Sequence, residues 1–245
     1  RLADKVFLSN TAAFKQGLVD IQDEGSQLIA HICGAAPGMQ VLDYCAGAGG
    51  KTLALAAAMR NKGRIVAMDT EPARLEKSRL RFRRAGVADI IEVRALTDEK
   101  NRKWLRRQKG TFDVTLVDAP CSGSGTWRRN PDGRWRSFGP NLDELVTVQA
   151  EILDRVAGTV KPGGRLVYAT CSLFLNENED QVDRFLAAHP EFSVLPVPDI
   201  WPAGTPCPVT GPYVRLFPHI HQTDGFFAAV FVRNVPDPQS SLSNA

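Results

Sequence analysis

The chain has no C-x-x-C pair, and its five cysteines, Cys33, Cys45, Cys121, Cys171 and Cys207, are scattered and odd in number. That argues against a zinc site or other metal centre, and against a disulfide framework. It favours a reducing compartment, the cytoplasm. No apolar run reaches about 18 residues and no signal peptide is present, so no membrane association is expected. There is no internal repeat, low-complexity tract or interdomain linker. Neither charge sign is in large excess: 30 Lys and Arg stand against 27 Asp and Glu, a net charge of +3. The chain opens on Arg1 rather than Met, as a fragment or a processed chain would. Two nucleotide fingerprints are also missing. No segment reads G-x-G-x-x-G, and Gly50-Lys51-Thr52 fails as a phosphate loop because Cys45 stands where that motif needs glycine.

What is present suits one α/β domain: 245 residues, 43% of them hydrophobic, can bury a full core. Short apolar runs bounded by turn residues predict strands over 39–44, 64–68, 90–93, 112–117, 165–170 and 226–232. Helical patterns fall between them, over 51–60, 72–84, 98–108, 142–160 and 176–188, with an earlier one from Gly25 to before Gly34. Lys161-Pro162-Gly163-Gly164 reads as a helix stop, and the proline-rich 190–224 stretch as irregular, with short strands near 192–195 and 213–217. The alternation implies a mostly parallel, doubly wound sheet with helices on both faces. We expect a helical lead-in over 1–35, the remnant of an RNA-binding region, a catalytic domain over 36–235, and a disordered tail over 236–245.

Positive charge is clustered. Arg74, Lys77, Arg79, Arg81, Arg83 and Arg84 share one helix; Lys100, Arg102, Lys103, Arg106, Arg107 and Lys109 share the next; Arg128, Arg129, Arg134 and Arg136 form a third group. Such clusters either bind a polyanion or are solvated faces. The third group lies just past the end of a strand, beside chemistry-bearing residues.

Two strand ends carry a cofactor signature. Asp43-Tyr44-Cys45-Ala46-Gly47-Ala48-Gly49-Gly50-Lys51-Thr52 turns the first strand into a helix, where glycines let the backbone approach a ligand. Asp69 ends the second strand, where an acid can hold both hydroxyls of an unphosphorylated ribose. A glycine turn and an acid without a pyrophosphate loop suit an adenosine cofactor such as S-adenosylmethionine. The alternative is a plain connecting turn, with Asp69 as a helix cap. Two further strand ends carry thiols: Cys121 after Asp118-Ala119-Pro120, and Cys171 after Thr170. Neighbouring strands lie about 5 Å apart, so both thiols can reach one pocket. Taken singly, either is as well explained as a small buried hydrophobe.

These stretches together resemble the Nol/Nop/Sun family, the RNA 5-methylcytosine methyltransferases typified by bacterial Fmu-like rRNA enzymes. The matching segments are 19–26, 42–52, Asp118 to Asp132 with its Asp-Ala-Pro-Cys-Ser-Gly, Tyr168-Ala169-Thr170-Cys171-Ser172 with Asn176-Glu177-Asn178-Glu179, and Thr223 to Phe227. The resemblance implies a Rossmann-like class I S-adenosylmethionine-dependent methyltransferase fold. It implies Cys171 as the nucleophile that adds to C6 of cytosine, Cys121 as the thiol that helps release the product, and Asp118 as the holder of the base edge. It further implies residues 45–51 at the methionine end of the cofactor, Asp69 at its ribose, and Lys51 beside the cofactor or Asp118. The substrate implied is RNA, rRNA or tRNA with an unstacked cytosine, its phosphates met by Arg128 and Arg129. Three departures stand out. Ala48 replaces the family's proline. The acid expected after the third strand is Asp98 or is lost. Little chain precedes the domain for an RNA-binding region. Two rivals remain: a non-catalytic RNA-binding or ribosome-assembly factor of the same fold, and a DNA cytosine-C5 methyltransferase attacking through Cys121.

Overall fold

The computed structural model describes residues 7–135, 139–202, 204 and 206–236. Helices α1 (Ala12–Lys15) and α2 (Glu24–Ile32) lead into strand β1 (Gln40–Asp43). Then come α3 (Gly50–Ala58), β2 (Arg64–Asp69), α4 (Pro72–Arg84), β3 (Ile91–Ala95), α5 (Glu99–Arg106) and β4 (Phe112–Asp118), alternating as expected. They are followed by α6 (Leu142–Ala157), β5 (Val160–Thr170) and α7 (Glu179–Ala188). The proline-rich stretch supplies β6 (Phe192–Val194), α8 (Val197–Ile200), β7 (Val214–Leu216) and α9 (Pro218–His221) before β8 (Phe226–Arg233).

The strands make one sheet in the order β3-β2-β1-β4-β5-β8-β6, with β7 also on β8. β1 to β5 are parallel, and β8 runs antiparallel to β5. β6 and β7 each pair antiparallel with a different half of β8, so two short strands cover one edge of it. Successive side chains alternate between two cores. Leu42, Val117, Leu166, Tyr168 and Phe227 face α5, α6 and α7; Val41, Leu116, Val167, Ala169 and Ala228 face α2 and α3.

One feature differs from expectation. The residues expected to stop the helix before β5 lie inside that strand: Phe112 pairs with Val160 but Val114 with Arg165, so Lys161–Gly164 bulge out of the ladder. A bulge accommodates Pro162, and Gly163 takes φ +77° there. The lead-in is bound closely to the domain. Ile29 and Ile32 of α2 enter the core, and Asp20 pairs with Arg81 at 2.9 Å and Arg84 at 2.6 Å. Part of the α4 cationic cluster therefore serves the lead-in. Arg136 and the expected disordered tail, from 237 onward, lie outside the described residues. Among the described residues, no helix is long and apolar enough to cross a membrane, and no group of three His, Cys, Asp or Glu is placed to hold a metal.

At Gly125 the loops after β4 and β5 meet backbone to backbone. Gly125 N–H donates to the Cys171 carbonyl at 2.9 Å, and the Gly125 carbonyl accepts from Gly225 N–H at 2.8 Å. A Cβ at position 125 would sit 2.8 Å from the Cys171 carbonyl oxygen and overlap that of Gly225, neither of which can rotate away. Gly125→Ala is expected to cost about 1–3 kcal/mol, read as a lower thermal midpoint. Gly158→Ala, where a Cβ meets open space, should leave the midpoint unchanged. Equal midpoints for the two variants would contradict this packing.

Candidate active site

The winding of the sheet reverses at β1, with β2 and β3 on one side and β4 and β5 on the other. In open α/β sheets a crevice forms beyond the carboxyl ends of the strands at such a point. Here it is a cavity of about 680 Å³, within the usual range of small-molecule sites. Its walls include Asp43, Cys45, Ala46, Gly47, Ala48, Gly50, Lys51, Asp69, Asp118, Cys121 and Cys171. Every residue selected from the sequence for the cofactor is there except Gly49.

Gly49 shapes the turn from behind. It caps α3 at φ +80°, and a Cβ would meet the Phe82 ring at 2.5 Å. Ala48, standing in for proline, is fixed through its carbonyl, which accepts from the Arg81 guanidinium at 2.7 Å. Asp69 joins the turn to β2: its Oδ2 accepts from Gly47 N–H and its Oδ1 from Glu71 N–H, each at 2.8 Å. Both oxygens keep a lone pair for a ligand. Cys45 borders the cavity as an apolar wall, its thiol pushed well above the ordinary value by burial. Asp98 does not serve the cavity. It is exposed and caps α5 by accepting from Lys100 N–H at 2.8 Å, while Leu96 lines the wall after β3.

Asp43 went unselected in the sequence. It is fully buried; Oδ2 accepts from the Thr52 hydroxyl at 2.7 Å, and Oδ1 has no hydrogen-bond partner among the described residues. Burial pushes its pKa up to about 7. A signal was available: β1, β2 and β4 each end in aspartate, at Asp43, Asp69 and Asp118.

The thiols come together. Asp118 pairs with Ala169 across β4 and β5, so the two strands end within one residue of each other. Cys121 Sγ lies 3.4 Å from Cys171 Sγ, and both cysteines are free. The Cys121 S–H donating to Cys171 holds the Cys171 thiol below its ordinary value. Lys51 adds to this, against burial and Asp118. The same bond and burial push Cys121 well above its ordinary value. Lys51 Nζ pairs with Asp118 Oδ2 at 2.6 Å and sits 5.6 Å from the Phe226 ring centre. Burial disfavours the ammonium, but the Asp118 carboxylate beside it raises its pKa on balance.

The arginines lie past this pair, outside the cavity wall. Arg129 Nε donates to Asp224 Oδ2 at 2.7 Å, and its Nη2 is ion-paired with the same carboxylate; Arg128 lies 3.9 Å from Asp224. Asp224 is fully buried, and its N–H donates to Asp23, the N-cap of α2, at 3.2 Å. Gln22 and Ser26 form a lip of the cavity, with Gln22 Nε2 donating to Ser26 Oγ at 2.8 Å. Asp224, Gln22 and Ser26 lie in stretches that matched the family without a role of their own.

A glycine turn on β1, an acid on β2 and a cavity at the switch point define a class I methyltransferase fold. A family model described as 16S rRNA methyltransferase RsmB/F matches residues 32–232. The chain belongs to this family. Over 222 residues it is 35% identical to a protein of Synechocystis called probable ribosomal RNA small subunit methyltransferase B, covering 91% of this chain and 49% of that one. A structure of NSun6 from Pyrococcus horikoshii with SFG is 27% identical, with a TM-score of 0.79, covering 95% of this chain and 57% of that one. A methyltransferase homolog protein from the same organism is 31% identical, with a TM-score of 0.72, covering 95% and 73%. The chain spans about half the length of the curated relatives it matches.

The buried Asp43 makes stability depend on pH. A carboxyl whose folded pKa, about 7, lies above its unfolded value of 3.8 contributes stability that is full below 3.8 and is lost as pH rises through 7. Asp43→Asn keeps the shape and removes the titration. In ligand-free protein, its thermal midpoint should gain on that of the wild type as pH rises from about 4 to 7, then level off. Parallel curves would show that Asp43 ionises in the fold as freely as in the unfolded chain.

Proposed function

We propose that this chain is the catalytic part of an S-adenosylmethionine-dependent RNA cytosine-C5 methyltransferase acting on rRNA in the cytoplasm. The observation that carries the reading is the thiol pair: two free cysteines 3.4 Å apart, one made the more acidic, beside a Lys51–Asp118 ion pair at the mouth of the cavity. Five free cysteines and a thiol pair that works only when reduced suit the cytoplasm.

The cavity fits the cofactor. The unpartnered Asp43 Oδ1 is an acceptor waiting for a donor such as the methionine ammonium. The turn over residues 45–51 holds that end, with the N-terminus of α3 favouring the carboxylate. Asp69 takes the ribose hydroxyls and Leu96 offers an apolar wall to the adenine. S-adenosylmethionine, when bound, supplies an electrophilic methyl group for C5.

The protein's own groups prepare the base. C5 of cytosine is a weak nucleophile. The Cys171 thiolate adds to C6; the S–C6 bond forms and the C5–C6 π pair moves onto C5, which becomes reactive. Asp118 accepts from the exocyclic amine of the base with the oxygen that Lys51 leaves. For release, water takes the C5 proton, the C5–C6 double bond re-forms and Cys171 departs as a thiolate, which the S–H of the neighbouring Cys121 stabilises. The target base must leave its stack to reach the thiol. Arg128 and Arg129, both more than half exposed, meet RNA phosphates, with Asp224 setting the direction of Arg129.

Methyl transfer from labelled cofactor to rRNA should vanish in Cys171→Ala. In Cys121→Ala, an RNA–protein adduct that survives denaturation should accumulate through Cys171. An adduct trapped in Cys171→Ala would reverse the roles, and transfer to DNA in place of RNA would favour a DNA methyltransferase attacking through Cys121.

A further inference from the structure

Behind the thiols lies a buried polar network that the proposed chemistry does not use. Glu177, just before α7, is fully buried, yet it lies on neither strand end that carries a thiol. Its Oε1 accepts from Ser122 N–H at 2.8 Å and from Gln149 Nε2 at 3.0 Å; its Oε2 accepts from the Ser122 hydroxyl at 2.6 Å. The Ser122 oxygen lies 3.2 Å from Ser172 Oγ, which lies 3.1 Å from Ser124 Oγ. Ser124 Oγ accepts Leu173 N–H at 2.8 Å, and Ser172 Oγ accepts Phe174 N–H at 3.1 Å. With the Ser122 hydroxyl committed to Glu177, one consistent arrangement remains. Ser124 donates to Ser172, Ser172 to Ser122, and Ser122 to the carboxylate, which accepts without donating.

Ser122 follows Cys121 and Ser172 follows Cys171. The chain of hydroxyls therefore ties together the residues next to the two thiols, and Glu177 anchors it. Asn178 secures the other loop: its amide donates to the Ser172 carbonyl at 3.0 Å, and its Oδ1 accepts from Thr170 at 2.6 Å. We propose that Glu177 is a positioning residue for the thiol pair. It holds the Cys121 loop against the Cys171 loop, so that the Cys121 S–H stays on the Cys171 sulfur before attack and stays close for release. The inference rests on the methyltransferase reading for the release step only; the pairing of the thiols stands without it. The charged and titratable groups around the pair are Lys51 and Asp118 on the cavity side, Arg129 beyond Cys171, Tyr168 and Glu177 behind. Of these, Glu177 alone grips the Cys121 loop through Ser122.

Glu177→Gln brings an amide to a site built of donors, which reverses the serine chain or breaks it. Ser122→Ala cuts the chain while leaving the Glu177–Gln149 bond. The first measurement is the pH profile of Cys171 alkylation by iodoacetamide in ligand-free protein, read by peptide mass spectrometry. In both variants the Cys171 midpoint should rise by about one unit toward that of Cys121→Ala, slowing alkylation at neutral pH roughly tenfold. The second is the RNA adduct under turnover with S-adenosylmethionine, which should build up several-fold in both variants as release slows. Glu177→Asp, which keeps the acceptors, should partly restore both. If the variants melt lower but keep the wild-type alkylation profile, Glu177 is only structural and the proposal fails. If alkylation shifts but no RNA adduct forms in any protein, the thiol positioning holds and the methyltransferase reading fails.

Discussion

Everything at the site depends on the parallel pairing of β4 with β5. Asp118 opposite Ala169 makes the two strands end within one residue of each other, so that each hands over to its loop at nearly the same height. A residue added or removed in either loop would turn its thiol away. The loops leave no slack: Ala119 N–H donates to the Ala169 carbonyl at 2.8 Å, and Gly125, Cys171 and Gly225 are in backbone contact where no side chain fits. These main-chain contacts bring the two loops together, and the side-chain network anchored on Glu177 links the residues next to the two thiols.

On that frame the charges sort themselves. Three acids end three neighbouring strands, and each meets a different fate. Asp43, fully buried, keeps one oxygen unpartnered and a high pKa; Asp69 is tied by two backbone amides; Asp118 takes an ammonium. The same residue type at equivalent strand ends thus presents three different carboxyls: one with an unpartnered oxygen, one bonded to backbone amides and one ion-paired with Lys51. Lys51 also bears on the thiols, because its charge favours the Cys171 thiolate while that of Asp118 opposes it. The two halves of one ion pair therefore act on Cys171 in opposite senses.

The strands, their order of appearance and the convergence of Cys121 with Cys171 were legible because they depend on local patterns: apolar runs, glycine turns, and residues placed at strand ends. The resemblance of the paired motifs to the Nol/Nop/Sun family is borne out by the family the chain belongs to. What escaped depends on contacts distant in sequence. Nothing local marks Asp224 as the partner of Arg129, 95 positions away, or Glu177 as the anchor of Ser122, 55 positions away. Asp98 looked available because it is acidic and follows β3, but a residue that starts a helix turns its carboxylate to its own backbone. Lys161–Gly164 read as a stop because proline and glycine punctuate most chains, whereas a bulge lets a strand carry them.

The central claim, that Cys171 and not Cys121 attacks the base, is tested most directly with an RNA whose cytosines carry fluorine at C5. Fluorine cannot leave as a proton does, so the bond between enzyme and base persists after methyl transfer. The protein would be incubated with S-adenosylmethionine and a fluorinated rRNA transcript, digested, and its peptides mapped by mass. The account predicts one modified peptide, carrying the nucleotide with an added methyl group on Cys171. The same mass on Cys121, with Cys171 unmodified, would contradict it.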